Sequence, residues 1–321
     1  MAIIYGRAEA EKDLLRISPN SVKKVEDLEI IHHELKDKLS NNKKNFFNNL
    51  PIKIKKEEEE LEKIKNDEKI TLQKYDEKIK NLEEKKAKGR FSMISASVKI
   101  SILKNYSKRR DMNEIKDLEQ KQKKQILLWK EKPNEIFDNS ERKTINEIKE
   151  FDAVKNSPYH AGAKGELYVI GKLSKLSDDY HVLCGLNIGL PRYVTYNGRK
   201  NLRSAQMDFV VVSRKGVILI EVKNWSNQYC NSHRNLNPHE QVDRAGRVLW
   251  IALQSWRSPK SPRVTSVLLR IQDNMRYDPI YKFVNVSNLD RINYFIENRR
   301  EEFSDKDVER IVDRLEGHIT N

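Results

Sequence analysis

The stretch from Val22 to Glu150 consists almost entirely of Lys, Glu, Asn, Ile and Leu, and only Pro51, Gly89 and Pro133 interrupt it. A stretch this charged has too little apolar surface for a globular core, yet it carries few residues that would end a helix. Such a composition is typical of long helices exposed to solvent. We therefore predict that residues 1–150 form an α-helical coiled-coil region, which we call the arm.

Two apolar stripes run through the arm with the three- and four-residue spacing of a coiled-coil seam. They predict either an antiparallel helical hairpin within one chain or pairing between subunits, which would make the protein a homo-oligomer. A polar residue interrupts each stripe, Glu68 in the first and Gln122 in the second. The apolar members are Leu61, Ile64, Leu72, Tyr75, Ile79 and Leu82 in the first stripe, and Ile115, Leu118, Ile126 and Trp129 in the second.

Residues 85–110, which we call the basic tip, separate the two stripes and contain no acidic residue. The neighbouring sequence mixes both charges, so the tip is a local excess of cations. Such a cluster favours contact with phosphate groups, and Phe91 and Tyr106 could stack on bases. The alternative is a solvated turn of a coiled coil that happens to be basic. The cations are Lys85, Lys86, Lys88, Arg90, Lys99, Lys104, Lys108, Arg109 and Arg110.

The whole chain of 321 residues has a formal net charge of +14, which favours a polyanionic partner such as nucleic acid. Two cysteines are too few for a disulfide framework or a four-cysteine zinc site. The sequence shows no run of about 18 apolar residues and no signal-peptide pattern. We therefore expect a soluble, cytoplasmic protein without a membrane partner.

After Phe151 short apolar runs alternate with helical ones, which predicts an α/β domain over residues 151–321. The predicted helices are "GELYVIGKLSKL", "NPHEQVDRAGRVLWIALQSW" and a closing helix capped by Ser304. The predicted strands are "YHVLCGLNI", "MDFVVVS", "GVILIEVKNW", "VTSVLLRI" and "YKFVNV".

Two of these strands, joined by "SRKG", have the pattern of a β-hairpin in which Gly216 can adopt a positive φ. If Arg214 and Lys215 form a two-residue turn, counting back along both strands places Asp208 opposite Glu221. Directly opposed side chains on a hairpin lie about 4.5–5.5 Å apart at Cβ, so the two carboxylates could reach one point.

Two carboxylates this close repel each other unless a cation lies between them, and Mg²⁺ prefers oxygen ligands of this kind. Lys223 lies on the same face as Glu221, because side chains alternate along a strand. It could position an attacking water or neutralise charge on phosphorus. The alternative interpretation of Glu-x-Lys is an ordinary solvated strand end.

Two further residues belong to the same candidate site. Glu166 lies on the apolar face of its predicted helix, where a carboxylate is rarely left unpaired. Gln241 lies in the first turn of a helix capped by Asn237, with Pro238 at its first position, and a helix N-terminus favours anions. Trp225, just after Lys223, is a candidate for stacking on a base.

The segments "GAKGELYVIGKL", "AQMDFVVVSRKGVILIEVKNW" and "NPHEQ" together resemble the nuclease-related domain (NERD) family of the PD-(D/E)xK nuclease superfamily over about residues 160–257. The resemblance implies a mixed sheet flanked by helices and metal-dependent phosphodiester cleavage with Mg²⁺ or Mn²⁺. It places the metal ligands on Asp208, Glu221 and Glu166, with Lys223 and Gln241 completing the catalytic set. The proline of the superfamily motif is absent, since Met207 precedes Asp208.

Three hypotheses follow. The first is a Mg²⁺- or Mn²⁺-dependent endonuclease acting on DNA, in repair or in antiviral defence against foreign DNA, with the arm serving dimerisation or substrate engagement. The second is a nucleic-acid-binding protein that keeps the nuclease fold without catalysis. The third is a coiled-coil scaffold for a larger assembly.

Overall fold

The computed structural model describes residues 1–86, 90–226, 237–255, 262–272 and 278–320. The chain divides into two compact units. The first, the sheet unit, comprises residues 1–32 and 149–321, and the second, the helical unit, comprises residues 33–148. Residues 1–32, predicted as part of the arm, belong to the sheet unit, because they form a strand and a helix that pack there.

The sheet unit is built on a mixed sheet that contains six strands in the described residues, in the order of the sequence. Strand β3 is antiparallel to its two neighbours β2 and β4, β1 is parallel to β2, and β5 and β6 continue parallel to β4. The strands are β1 (Ile3–Tyr5), β2 (His181–Tyr196), β3 (Arg199–Ser213), β4 (Gly216–Lys223), β5 (Val264–Arg270) and β6 (Val284–Asn288).

Helices cover both faces of this sheet, since alternate residues of each strand point to opposite faces. Val210 and Val212 pack with α8 and α10, whereas Phe209 and Val211 pack with α7 and α9. This architecture confirms the predicted mixed sheet flanked by helices. The helices of the sheet unit are α1 (Glu9–Ile17), α7 (Pro158–Leu173), α8 (Pro238–Ser255), α9 (Ile292–Glu297) and α10 (Asp305–Glu316).

The predicted hairpin is confirmed between β3 and β4. Ser213 pairs with Gly216 across the two-residue turn, and the ladder continues to the pair of Phe209 and Ile220. Gly216 adopts a φ of +117°, a region that favours glycine. Asp208 and Glu221 are the next residue on each strand, so the register places both where the ladder ends.

The helical unit contains the predicted long helix and a second helix antiparallel to it. Tyr75 Oη donates to Asp111 Oδ2 at 2.6 Å, and Gln122 Nε2 donates to Glu57 Oε2 at 2.6 Å. The two stripes therefore form a helical hairpin within one chain. The helices are α2 (Val25–Lys86), α3 (Arg90–Ile102), α4 (Lys108–Glu131), α5 (Pro133–Ser140) and α6 (Arg142–Lys155), with a π-helical turn (Leu103–Ser107) before α4.

The second stripe differs from its prediction by one position. Leu118 is 53% exposed, whereas Ile126 is buried and Gln122 contacts α2. The cause is helical phase, because residues 115, 122, 126 and 129 share one face and Leu118 lies beside it. In the described part of the chain, no helix is both long and apolar enough to cross a membrane.

Candidate active site

The end of β4 brings together the side chains that the sequence analysis selected. Glu221 is 1% exposed, and its Oε1 accepts hydrogen bonds from Lys223 Nζ at 2.6 Å and from Gln241 Nε2 at 2.5 Å. Asp208 is anchored by the backbone, since the Val222 N–H donates to Asp208 Oδ2 at 2.7 Å. Strands β3 and β4 thus fix the buried carboxylate of Glu221, the partly buried carboxylate of Asp208 and one ammonium group at one point of the sheet.

Gln241 reaches Glu221 because α8 begins where the sequence predicted. Asn237 Oδ1 accepts from the backbone N–H groups of His239 at 3.0 Å and Glu240 at 3.4 Å, and Pro238 is the first helical residue. An Asn cap with a following proline is a favourable start for a helix. The cap therefore sets the position from which Gln241 contacts the site.

Glu166 comes from α7, on the other face of the sheet, and is only 6% exposed. Ser157 caps the helix, and small residues let it approach its neighbours closely. A Cβ atom at Gly165 would lie 2.9 Å from Asn224 Cβ, so a side chain there would displace the residue that follows Lys223. The carboxylate accepts a hydrogen bond from the backbone N–H of Ala10 at 3.0 Å, a partner that the sequence analysis missed.

The charges of these residues are strongly coupled. Burial and, after it, the charge of Asp208 raise the pKa of Glu166 to about 9 and that of Glu221 to about 7. Burial also raises the pKa of Asp208. Burial lowers the pKa of the Lys223 ammonium, but the negative charges of Glu221 and Asp208 raise it by more. The pKa of Lys223 is therefore above its ordinary value. Three carboxylates close enough to perturb one another are typical of a functional site.

Residues 161–269 match the family model described as NERD, nuclease-related domain. The chain contains a NERD domain. The matched segment includes Glu166, Asp208, Glu221, Lys223 and Gln241, and it indicates a nuclease-related function and interaction with nucleic acid. No match was found among curated proteins or among solved structures.

The acidic cluster of the NERD domain fits a hard divalent cation by its chemistry. Glu221 Oε2 is buried and has no hydrogen-bond partner among the described residues, and in the ionised carboxylate such an oxygen is costly unless a cation binds it. The Ala10 N–H donates a hydrogen bond to one oxygen of Glu166. Lys223 and Gln241 both donate to the other oxygen of Glu221, Oε1. Within the described ranges, no three His, Cys, Asp or Glu side chains are already arranged as a metal-binding group.

A cavity of about 380 Å³ opens onto this cluster. Glu166, Asp208 and Lys223 line it, together with Trp225, whose ring centroid lies 5.8 Å from Lys223 Nζ. Trp225 also lines a neighbouring cavity of about 470 Å³ beside Gln241 and Arg244. The tryptophan predicted to contact substrate is therefore part of the wall of both cavities.

Part of the basic tip is neutralised within the helical unit. Lys108 Nζ lies 2.6 Å from Asp76, Lys104 Nζ lies 3.3 Å from Glu83, and Arg110 lies 3.4 Å from Asp111. Lys104 and Lys108 are distant in sequence from their acidic partners, and the helical hairpin brings them together, whereas Asp111 directly follows Arg110. Lys88 lies outside the described residues.

Proposed function

We propose that the NERD domain is a metal-dependent nuclease that hydrolyses phosphodiester bonds of DNA. The observation that carries the proposal is the convergence of Glu166, Asp208, Glu221, Lys223 and Gln241 in a domain whose family model is nuclease-related. Asp208, Glu221 and Glu166 would hold Mg²⁺ or Mn²⁺. When bound, the cation would supply Lewis acidity toward a phosphate oxygen.

Lys223 acts in this proposal as a charged donor to the scissile phosphate. Its raised pKa keeps it protonated at neutral pH, so it does not serve as a general base there. One hydrogen bond of its ammonium group goes to Glu221, and an ammonium group has three donors. The remaining donors are available for the negative charge that develops on phosphorus oxygens.

Hydrogen bonds to Asp208 and Glu221 hold the side chains of the site in fixed positions. The Val222 N–H holds Asp208, and the Gln241 amide holds the same Glu221 oxygen that Lys223 contacts. Because every one of these contacts comes from a strand end or a helix terminus, the site is organised before substrate arrives. Such preorganisation is a large part of catalytic power in enzymes that stabilise charge.

The cleavage assay that tests the proposal uses the full chain with supercoiled plasmid, linear duplex, circular single-stranded DNA and RNA. We expect cleavage of DNA with Mg²⁺ or Mn²⁺ and none with excess chelator. Cut circular substrates would identify an endonuclease. Absence of cleavage on every substrate, with either metal, would favour the second hypothesis, a nuclease fold that binds nucleic acid without catalysis.

For the arm we propose substrate engagement through the basic tip. The stripes of α2 and α4 already pack against each other within one chain. The cations of the tip are the feature of the arm that has affinity for phosphate groups. Dimerisation through the arm stays a prediction, and sedimentation equilibrium of the full chain tests it. A role in DNA repair or in defence against foreign DNA also stays a prediction.

Replacing Lys86, Lys99 and Arg109 together by Ser should weaken DNA binding about tenfold and reduce its salt dependence by up to about three released counterions. The KM for DNA should rise while kcat stays the same, because the tip does not contact the reacting atoms. A matched control replaces Lys55, Lys116 and Lys121 by Ser. This triple substitution removes the same charge from the arm outside the tip. Equal binding by both triple variants would contradict a specific role for the tip.

A further inference from the structure

The N-terminal segment of the chain reaches the active site. Strand β1 pairs with β2, from Ile3 opposite His181 to Tyr5 opposite Leu183, and α1 begins four residues later at Glu9. The backbone N–H of Ala10, in the first turn of α1, donates to Glu166 Oε2 at 3.0 Å. A helix has no acceptor of its own for the N–H groups of its first turn, so this donor is available to a carboxylate.

Gly185 of β2 makes this approach possible. It has a φ of +62°, and a Cβ atom there would lie 2.9 Å from the carbonyl oxygen of Arg7 and 3.1 Å from Glu9 Oε2. Any other residue would therefore push the start of α1 away from the sheet. Gly185 falls between the ladder pairs Cys184–Phe209 and Leu186–Met207, which places it across from Asp208.

Helix α7 is shaped for the same contact. A Cβ atom at Gly162 would lie 3.3 Å from Ala10 Cβ, which is tighter than ordinary packing. Gly162 lies one turn of α7 before Glu166, so its small size lets α1 come close where the carboxylate needs a donor. The glycines of "GAKGE" thus serve two different neighbours, since Gly162 faces Ala10 and Gly165 faces Asn224.

A cluster of hydrogen bonds on the other side of α1 holds the helix in place. Thr320 Oγ1 donates to Glu9 Oε2 at 2.6 Å, and the Thr320 backbone N–H donates to the Gly185 carbonyl at 3.0 Å. Lys12 Nζ bonds the carbonyl oxygen of Thr320 and lies 3.4 Å from Glu9 Oε2. The first turn of α1 is therefore tied to both β2 and Thr320.

We propose that the first turn of α1 is a positioning element of the nuclease site, and that the Ala10 N–H orients Glu166 by occupying one of its two oxygens. The other oxygen would then be left for the cation that Asp208 and Glu221 would help to hold. Ala10 contacts no reacting atom, so it is a positioning residue. This inference rests on the proposed function and extends it to a segment outside the matched residues 161–269.

Ala10→Pro tests the inference, because proline removes the N–H at a first-turn position where no intrahelical hydrogen bond is lost. Ala10→Gly is the matched control, since glycine keeps the N–H and removes only a methyl group. For Ala10→Pro we expect kcat for DNA cleavage to fall about 10- to 100-fold with KM unchanged within about twofold. The Mg²⁺ concentration that half-saturates the thermal stabilisation of the full chain should rise about tenfold, while Ala10→Gly should respond like the wild type.

If circular dichroism shows that Ala10→Pro does not fold, Thr320→Val replaces it, with Thr320→Ser as the control that keeps the hydroxyl. Thr320→Val should weaken the Mg²⁺ response about three- to tenfold and Thr320→Ser should not. The inference would be overturned if Ala10→Pro folds, or Thr320→Val in its place, and shows the kcat and the Mg²⁺ response of the wild type. The proposed function would not be affected by that result. A wild type that neither cleaves DNA nor responds to Mg²⁺ would overturn the proposed function and, with it, the role of Ala10.

Discussion

Replacing Asp208 by Asn is expected to reduce DNA cleavage by about 10³-fold or more while the protein stays folded. The amide keeps the shape of the carboxylate and can still accept the Val222 N–H, so the end of β4 keeps its geometry. The negative charge that would bind the cation is lost. Initial rates on a single DNA substrate with saturating Mg²⁺, with circular dichroism on the same samples, measure the effect.

Asp178→Asn provides the matched control, because Asp178 is an exposed aspartate outside the cluster. The control should cleave at the wild-type rate after an identical purification. If Asp208→Asn retains more than about a tenth of that rate, the cleavage comes from another site or from a contaminant, and the assignment of Asp208 fails.

The metal-free protein should become less stable as the pH rises from about 5 to 9. The pKa values of Glu221 and Glu166 are raised to about 7 and about 9, above the ordinary 4.5 that they regain on unfolding. The folded state therefore binds more protons than the unfolded state in this range, and the free energy of unfolding falls as they are released. For Glu221 the loss is on the order of 3 kcal/mol, complete only above pH 7.

Glu221→Gln isolates this effect from the other titrating groups, because glutamine stays neutral and still offers an oxygen to Lys223. In chelator, the melting temperature of the variant should exceed that of the wild type by several degrees at pH 8.5 and by little at pH 5. Mg²⁺ should remove much of this difference by stabilising the wild type. A difference that does not change between the two pH values would show that the Glu221 carboxylate is not under electrostatic strain.

The hairpin of the site could be predicted because its information is local. A two-residue turn with glycine at the required φ sets the register, and the period of two then fixes the faces of Glu221 and Lys223. The helix start at Pro238 has an equally local cause, the Asn237 cap. Within a dozen residues, backbone geometry leaves few alternatives.

Other features depended on partners distant in sequence. The short strand at Ile3–Tyr5 has no local pattern that distinguishes it from the arm, because its pairing partner β2 begins at His181. The ion pairs of the basic tip also depend on distant residues, since Lys104 and Lys108 meet acids of α2 only after the hairpin has formed. The small residues of "GAKGE" were the available clue to Ala10, but they do not reveal which element approaches them.

The proposed function depends above all on Asp208, Glu221 and Glu166 forming one divalent-cation site. Calorimetric titration of Mn²⁺ into the full-length wild type and into Glu221→Gln at pH 7.5 tests it most directly. We expect saturable binding to the wild type that weakens at least about tenfold in the variant. Absence of binding to the wild type, or equal binding to both proteins, would contradict it.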